Sequence, residues 1–216
     1  MNGRSPRHRP ARSAPAGAGG SVRIVGGRWR GTRLAVPDLA GLRPTSDRVR
    51  ETLFNWLQPA LPGALVLDLF AGSGALGLEA VSRGAARAVL VERDPSQAAH
   101  LHAQVQRLEA CAQVEVVQGD ALRWLAAQGT PPYRFDIAFL DPPFDGSLWQ
   151  PALQALLPRM AASAWLYIES PANGAPMRPP GWTLHRELCT AQSRAALYRG
   201  PAACADGMDA TPDMPR

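Results

Sequence analysis

Residues 64–83 read ALVLDLFAGSGALGLEAVSR. The first seven, ALVLDLF, form an apolar run of strand length, too short for a buried helix. Glycines follow at 72, 74 and 77, and ALGLEAVSR (75–83) then reads as a helix. Gly72 and Gly74 permit a tight turn and close approach of a ligand to backbone, and Gly77 allows the helix to pack closely. A strand, a glycine turn and a helix make the opening unit of an α/β fold. By itself the glycine spacing fits a dinucleotide enzyme as well as a methyltransferase.

The same unit recurs downstream. RAVLVE (87–92), VEVVQ (114–118), FDIAFLD (135–141) and AWLYIES (164–170) read as strands. PSQAAHLHAQVQRLEA (95–110), ALRWLAAQ (121–128) and LWQPALQALLPRMA (148–161) read as the helices between them. Segments near 182–188 and 195–200 complete the pattern as a hairpin. Apolar strands separated by helices predict a mostly parallel sheet covered on both faces. In such sheets ligands bind beyond the carboxyl ends of the strands. Upstream, 21–27 and 30–37 predict two short strands around a glycine-rich turn. TSDRVRETLFNWLQ (45–58) predicts a helix, with Val49, Leu53, Trp56 and Leu57 at helical spacing.

The chain has 216 residues, 46% of them hydrophobic, and a formal charge of +5. That suits one domain with a small appendage. Four units are expected: a disordered basic tail over 1–21, a hairpin and helix over 22–60, the main domain over 61–200, and a flexible tail over 201–216. Residues 22–50 hold seven arginines against Asp38 and Asp47, a balance that favours an anionic partner such as nucleic acid. Cys111, Cys189 and Cys204 are odd in number and far apart, and with four histidines they form no ligand spacing. Neither a metal site nor a disulfide framework is expected, and a reducing, cytoplasmic setting fits. No apolar run reaches the length of a membrane span.

Function is read at the strand ends. Asp68, four residues before Gly72, can accept a hydrogen bond from a ligand ammonium, which S-adenosylmethionine carries and NAD does not; a turn or cap role is the plainer reading. Glu92, twenty residues after Gly72, suits the ribose hydroxyls of an adenosine. Asp120 and the Ala121 amide suit the adenine edge, with a helix cap as the alternative for Asp120. DPPF (141–144) closes the fourth strand of the main domain. Pro142 and Pro143 lack backbone donors and have fixed φ, so the Pro142 carbonyl becomes a rigid acceptor beside Asp141. Phe144 offers a ring to stack on. Two acceptors and a ring suit a planar base with an exocyclic amine. Holding that amine against a sulfonium methyl donor is chiefly a problem of alignment.

DLFAGSG (68–74) and DPPF (141–144) resemble the two signature motifs of class I amino-methyltransferases, and the resemblance extends further. RIVGGRWRGTRL (23–34), GLRPTSDRVRETLFNWL (41–57), DLFAGSGALGLEAVSRGA (68–85) and YIES (167–170) are similar to the RsmD family, over roughly residues 22–200. The resemblance implies a Rossmann-like, seven-stranded, mostly parallel sheet with its last strand reversed, plus a small N-terminal β-hairpin and helix. It implies methyl transfer from S-adenosyl-L-methionine to the N2 of one guanine of 16S ribosomal RNA (guanine 966). The partner implied is the assembled or assembling small subunit, with no membrane and no metal; a monomer is expected. Asp68, Phe70, Gly72, Gly74, Glu92, Asp120 and Ala121 would then serve the cofactor, and Asp141, Pro142, Pro143 and Phe144 the target base.

Arg28, Arg30, Arg33, Arg43, Arg48 and Arg50 are the candidate RNA-binding residues, suited to phosphate rather than base edges. Trp29 is read either as a stacking platform or as packing on the sheet. The rival readings are a DNA adenine-N6 methyltransferase, a Rossmann dehydrogenase and a non-catalytic ribosome assembly factor. Against the first stand the short chain and the lack of a large insert after the fourth strand.

Overall fold

The computed structural model describes residues 20–35, 47–127, 134–143, 148–173 and 178–202. Phe144, Arg43 and almost all of both expected tails lie outside them. Two strands, β1 (Ser21–Arg23) and β2 (Arg33–Ala35), form an antiparallel pair. Helix α1 (Asp47–Leu57) follows. Then come β3 (Leu65–Asp68), α2 (Ala75–Ser82), β4 (Arg87–Glu92), α3 (Pro95–Arg107), β5 (Val114–Gln118), α4 (Ala121–Ala127) and β6 (Phe135–Leu140). The chain continues through α5 (Trp149–Leu156), β7 (Met160–Pro171), β8 (Thr183–Cys189) and β9 (Ser193–Arg199).

The large sheet has seven strands in the order β5-β4-β3-β6-β7-β9-β8. Neighbours from β5 to β7 are parallel, and β9 runs antiparallel to both β7 and β8. Strand order reverses between β3 and β6, which puts a topological switch point in the middle of the sheet.

Alternation along the strands divides the core in two. Val66, Leu90, Ile137, Phe139, Tyr167 and Leu197 face one layer, with residues of α1, α2 and α3. Leu67, Val89, Ala138, Leu140, Leu166 and Tyr198 face the other, with residues of α4 and α5. On the first face Phe54 of α1 meets Phe139 edge-on at 5.9 Å between ring centres, and Phe139 meets Tyr167 at 6.2 Å. Such edge-to-face pairs add ~0.5–1.5 kcal/mol each beyond area burial. Helix α1 is therefore an integral part of the main core, and not only a part of an appended unit.

All eight residues of α2 are buried, because the hairpin covers the side that the sheet does not. The Arg28 N–H donates to the Ser82 carbonyl and the Trp29 N–H to Ser82 Oγ, which itself donates to the Gly26 carbonyl. The contact needs glycine at 27: φ there is +73°, and a Cβ would sit 1.9 Å from the Ser82 carbonyl oxygen. Glu79, fully buried on α2, joins the layers. It accepts from the Val25 N–H at 2.8 Å and from Arg83 Nε at 2.7 Å, and lies 3.6 Å from the buried Arg50 guanidinium.

The sequence pattern misplaces boundaries in two places. The strands expected over 21–27 and 30–37 are shorter, with β1 ending at Arg23 and β2 beginning only at Arg33. The pattern also predicts a helix over 148–161, whereas α5 ends at Leu156 and β7 already starts at Met160. Pro158 lies in a single 3-10 turn between them, where its missing N–H halts α-helical bonding. The first part of β7 slips register against β6 between Phe135 and Ile137, so its apolar pattern does not alternate and reads as helix.

Candidate active site

Four carboxylates line the carboxyl end of the sheet on the α1–α2–α3 face: Asp68 of β3, Glu92 of β4, Asp141 just after β6 and Glu169 of β7. Their strands stand side by side, with Asp68 opposite Leu90 and Phe139, and Phe139 opposite Tyr167. Asp141 is two residues past Phe139, so it shares the face of Asp68 and stands one step further out.

Asp68 is 2% exposed and accepts the Gly77 N–H at 2.9 Å. Gly74, the residue before α2, has no side chain with which to cap the helix, and its φ of +73° makes the turn. Asp68 supplies the missing acceptor from the neighbouring strand, near the positive end of the helix dipole. Even so, its pKa rises to about 7, from burial first; the Gly77 N–H opposes this, and the Glu92 carboxylate adds to it. A cation arriving beside Asp68 would restore the charged form, which suits the ammonium of a methionine moiety.

Glu92 is half-buried and holds the glycine loop shut. Its Oε2 accepts the Gly72 N–H at 2.8 Å and its Oε1 the Asp94 N–H at 2.7 Å. Each oxygen keeps a further lone pair, so both can still accept ribose hydroxyls. The Ala71 N–H is tied to the Val91 carbonyl, and half-buried Phe70 packs against the second core layer. Asp94 caps α3 through the Ser96 and Gln97 N–H groups, and the Ser96 and Gln97 bonds hold its carboxyl below the ordinary range. Asp120 accepts the Arg123 N–H at 2.9 Å, so the cap reading holds for one of its oxygens; Ala121 beside it is buried.

Asp141 is half-buried, Pro142 buried and Pro143 exposed. Burial, then Glu169, then Asp68 push the Asp141 carboxyl well above its usual range. Glu169 and Tyr167 are polar neighbours that the sequence reading left without a role. The only hint was acid and phenol two apart in a strand, YIES, which puts both on the face of Asp68.

The arginines divide. Arg28, Arg30, Arg33 and Arg48 are exposed. Arg50 is not: it is 0% exposed, donating to the Arg23 carbonyl at 2.8 Å and to Asp47 Oδ1 at 2.6 Å, next to Glu79. Its assignment to RNA is corrected accordingly, because a guanidinium enclosed in the core cannot present itself to a phosphate. Arg28 lies far from the carboxylates. Its backbone meets the last residue of α2 and its side chain bonds Gln113, just before β5, which places it at the amino end of the sheet. Trp29 packs partly buried on the first core layer, with the Arg28 guanidinium 4.1 Å from its ring centre.

The chain is similar to known proteins in sequence and in fold. Residues 22–199 match a family described as "Conserved hypothetical protein 95". The chain is 47% identical over 186 residues to ribosomal RNA small subunit methyltransferase D of Escherichia coli K12, covering 85% of this chain and 92% of that protein. Its Haemophilus influenzae counterpart is 40% identical over 185 residues, covering 84% and 95%. The solved E. coli protein yhhF, described as a candidate methyltransferase, superposes with a TM-score of 0.76 at 46% identity, covering 85% of this chain and 99% of that one. At 16% identity and a TM-score of 0.58, an RNA methyltransferase from Salinibacter ruber, solved with S-adenosyl-L-homocysteine, shares the fold over 77% of this chain and 99% of its own.

Proposed function

Since the chain belongs to the ribosomal RNA small subunit methyltransferase D (RsmD) family, we propose that it methylates the exocyclic N2 of one guanine in 16S ribosomal RNA, guanine 966, within the small ribosomal subunit. The methyl donor is S-adenosyl-L-methionine, whose sulfonium supplies an activated methyl with a good leaving group. The observation that carries the reading is the placement of Asp68 and Asp141 on the same face of two paired central strands, so that a donor held at one and an amine held at the other are neighbours.

Asp68 takes the ammonium of the donor, Glu92 the ribose and the Asp120–Ala121 turn the adenine. The glycine loop, tied to Glu92 and Val91, keeps the backbone close to the donor without a side chain in the way. Asp141 and the Pro142 carbonyl accept the two amine hydrogens of the base, with Phe144 as the stacking ring. That pairing turns the amine lone pair out of conjugation and toward the methyl. Alignment and fixed acceptors supply most of the acceleration. Exposed arginines, Arg48 among them, hold phosphates and set register rather than sequence.

The test is methyl transfer from labelled donor to isolated small subunits, free 16S RNA and duplex DNA, with mass mapping of the product. Label on one guanine N2 of the subunit, lost in Asp141→Ala while donor-product binding persists, is the expected result. Label on duplex DNA adenine would assign the chain to the DNA enzymes instead. No transfer, with an unchanged cellular effect of Asp141→Ala, would make it an assembly factor.

A further inference from the structure

The end of the sheet remote from Asp68 and Asp141 carries a cleft of about 360 Å³. It lies below the first residues of β3, β6 and β7 and the last of β9. Pro62, Gly63, Asp136, Ser163, Trp165 and Arg199 line it. These residues take no part in the donor site.

Arg199 is built in rather than loose. Its guanidinium lies 4.3 Å from the centre of the Trp165 ring, and its backbone pairs with Trp165 on β7 and Thr183 on β8. The His185 ring meets the same indole edge-on, at 4.9 Å between ring centres. A guanidinium stacked by its face keeps its N–H edge for an acceptor. Among the described residues Arg199 makes no hydrogen bond and no ion pair, although it is only partly exposed. The Trp165 Nε1–H is buried without an acceptor as well. A buried donor in that state calls for a reason, and use of the ring as the platform for Arg199 supplies one.

The other wall offers an acceptor. Asp136 Oδ2 takes the Leu65 N–H at 2.9 Å, which fixes the carboxylate and leaves Oδ1 for a ligand. Asp136 precedes Ile137, which pairs with Trp165, which pairs with Arg199. The two charged residues therefore stand two strand spacings apart, ~10 Å between backbones. Between them β7 bulges: Phe135 pairs with Met160 but Ile137 with Trp165. Ser163, in the extra length, has a φ of +53°. A serine held in that region is strained, and such strain gathers at binding sites.

The two groups together select the ligand. An isolated phosphate answers Arg199 and is repelled by Asp136. A ribonucleotide backbone answers both, with an anionic phosphate and, on the adjoining sugar, a 2′-hydroxyl that can donate. We propose that this cleft is a second RNA-binding site, taking a ribose–phosphate unit of the substrate: Arg199 holds a phosphate oxygen and Asp136 accepts the adjoining 2′-hydroxyl. The inference rests on the RNA part of the reading above and not on methyl transfer. It places a contact at the end of the sheet opposite the reacting base, which only an extended RNA reaches.

The probe is a short oligouridylate, set beside its deoxy counterpart and inorganic phosphate. Uracil has no exocyclic amine, so it does not answer Asp141 and Pro142. Binding to wild type, Arg199→Gln and Asp136→Asn is measured by fluorescence anisotropy across a range of salt, with melting temperature and S-adenosylhomocysteine affinity as controls. Arg199→Gln should weaken the ribo-oligomer about fivefold or more at low salt and lower the salt slope by about 0.7. Asp136→Asn should leave the deoxy-oligomer within about twofold and bring the ribo-oligomer down to it. S-adenosylhomocysteine affinity should stay within about twofold in both, because the cleft is remote from the donor loops. Unchanged affinity and slope in Arg199→Gln overturn the proposal, as does equal binding of the two oligomers to wild type. A loss confined to inorganic phosphate marks a small-anion site and overturns the RNA assignment. If Arg199→Gln does not fold, photocrosslinking of a thiouridine-substituted oligomer to wild type decides: crosslinks at 162–165 or at Arg199 uphold the proposal, and their absence overturns it. A wild type that binds the oligomer in this cleft yet transfers no methyl sinks the methyl-transfer reading and leaves this inference standing.

Discussion

Asp68 makes the donor site a proton-linked one. Its carboxyl titrates at about 7 in the free protein, against an ordinary 3.8, so at pH 7 about half of the molecules carry a proton there. An ammonium set against it favours the charged form and returns the pKa to the ordinary range or below. Binding S-adenosylhomocysteine at pH 7 should then release about half a proton, and at pH 5 nearly a whole one. By the same linkage, affinity should tighten about 50-fold from pH 5 to pH 7, a range in which the ligand amine stays charged. Titration calorimetry in buffers of differing ionisation enthalpy reads the proton count directly. Asp68→Asn should bind weakly, release no proton and lose the pH dependence.

Stability supplies an independent readout with a defined sign. Folding disfavours the ionised form of Asp68, so this group costs nothing below about pH 4, and its penalty grows between about pH 4 and 7 as the unfolded chain ionises first. Three pKa units correspond to about 4 kcal/mol. Asp68→Asn, which keeps an oxygen for the Gly77 N–H, should therefore match wild type near pH 4 and exceed it by up to about 4 kcal/mol above pH 7 in denaturant unfolding. A flat affinity profile with no proton release near neutrality would refute the assignment of the ammonium to Asp68.

Other consequences are simpler to test. Gly77→Ala puts a Cβ 2.7 Å from Leu90 Cδ1 and 3.3 Å from Asp68 Cβ, and should cost ~1–3 kcal/mol in thermal unfolding. Glu79→Ala leaves Arg50 in the core without that carboxylate and should cost ~3–5 kcal/mol, with hydrogen exchange rising first at Val25, whose N–H loses its acceptor. Arg48→Ala should lower the salt slope of subunit binding by about 1, whereas Arg50→Ala should lower the melting temperature without changing that slope.

The sheet was legible because its central strands are short, mostly apolar runs closed by polar residues, and β4 and β5 fall where the pattern puts them. The start of β7 was not, since a register slip and Ser163, with φ of +53°, erase the period of two. Asp68, Glu92 and Asp141 were visible because an acid ending an apolar strand is conspicuous. Glu169 also ends such a run, yet its meaning depends on which strand lies beside β6, and pairing order is not written in local sequence. Arg50 deceived for the opposite reason. Apart from Val49 its near neighbours in sequence are polar or charged, and its partner Glu79 is 29 positions away on another helix.

The hairpin arginines bear on what kind of molecule can be a substrate. Helix α2 starts at the glycine loop and ends at Ser82, where Arg28 docks; eight residues at 1.5 Å each separate the two ends by about 12 Å. A phosphate bound by Arg28 therefore cannot belong to the nucleotide under Asp141. Either these side chains are idle, or the substrate extends along the α2–α3 side to the amino end of the sheet, as a folded RNA can and a free nucleotide cannot. Arg28→Ala separates the cases: it should weaken binding of whole subunits and leave methylation of a short stem-loop, at saturating concentration, unchanged. Equal losses on both would mean that Arg28 acts through the fold, by way of Trp29 and α2, rather than through RNA.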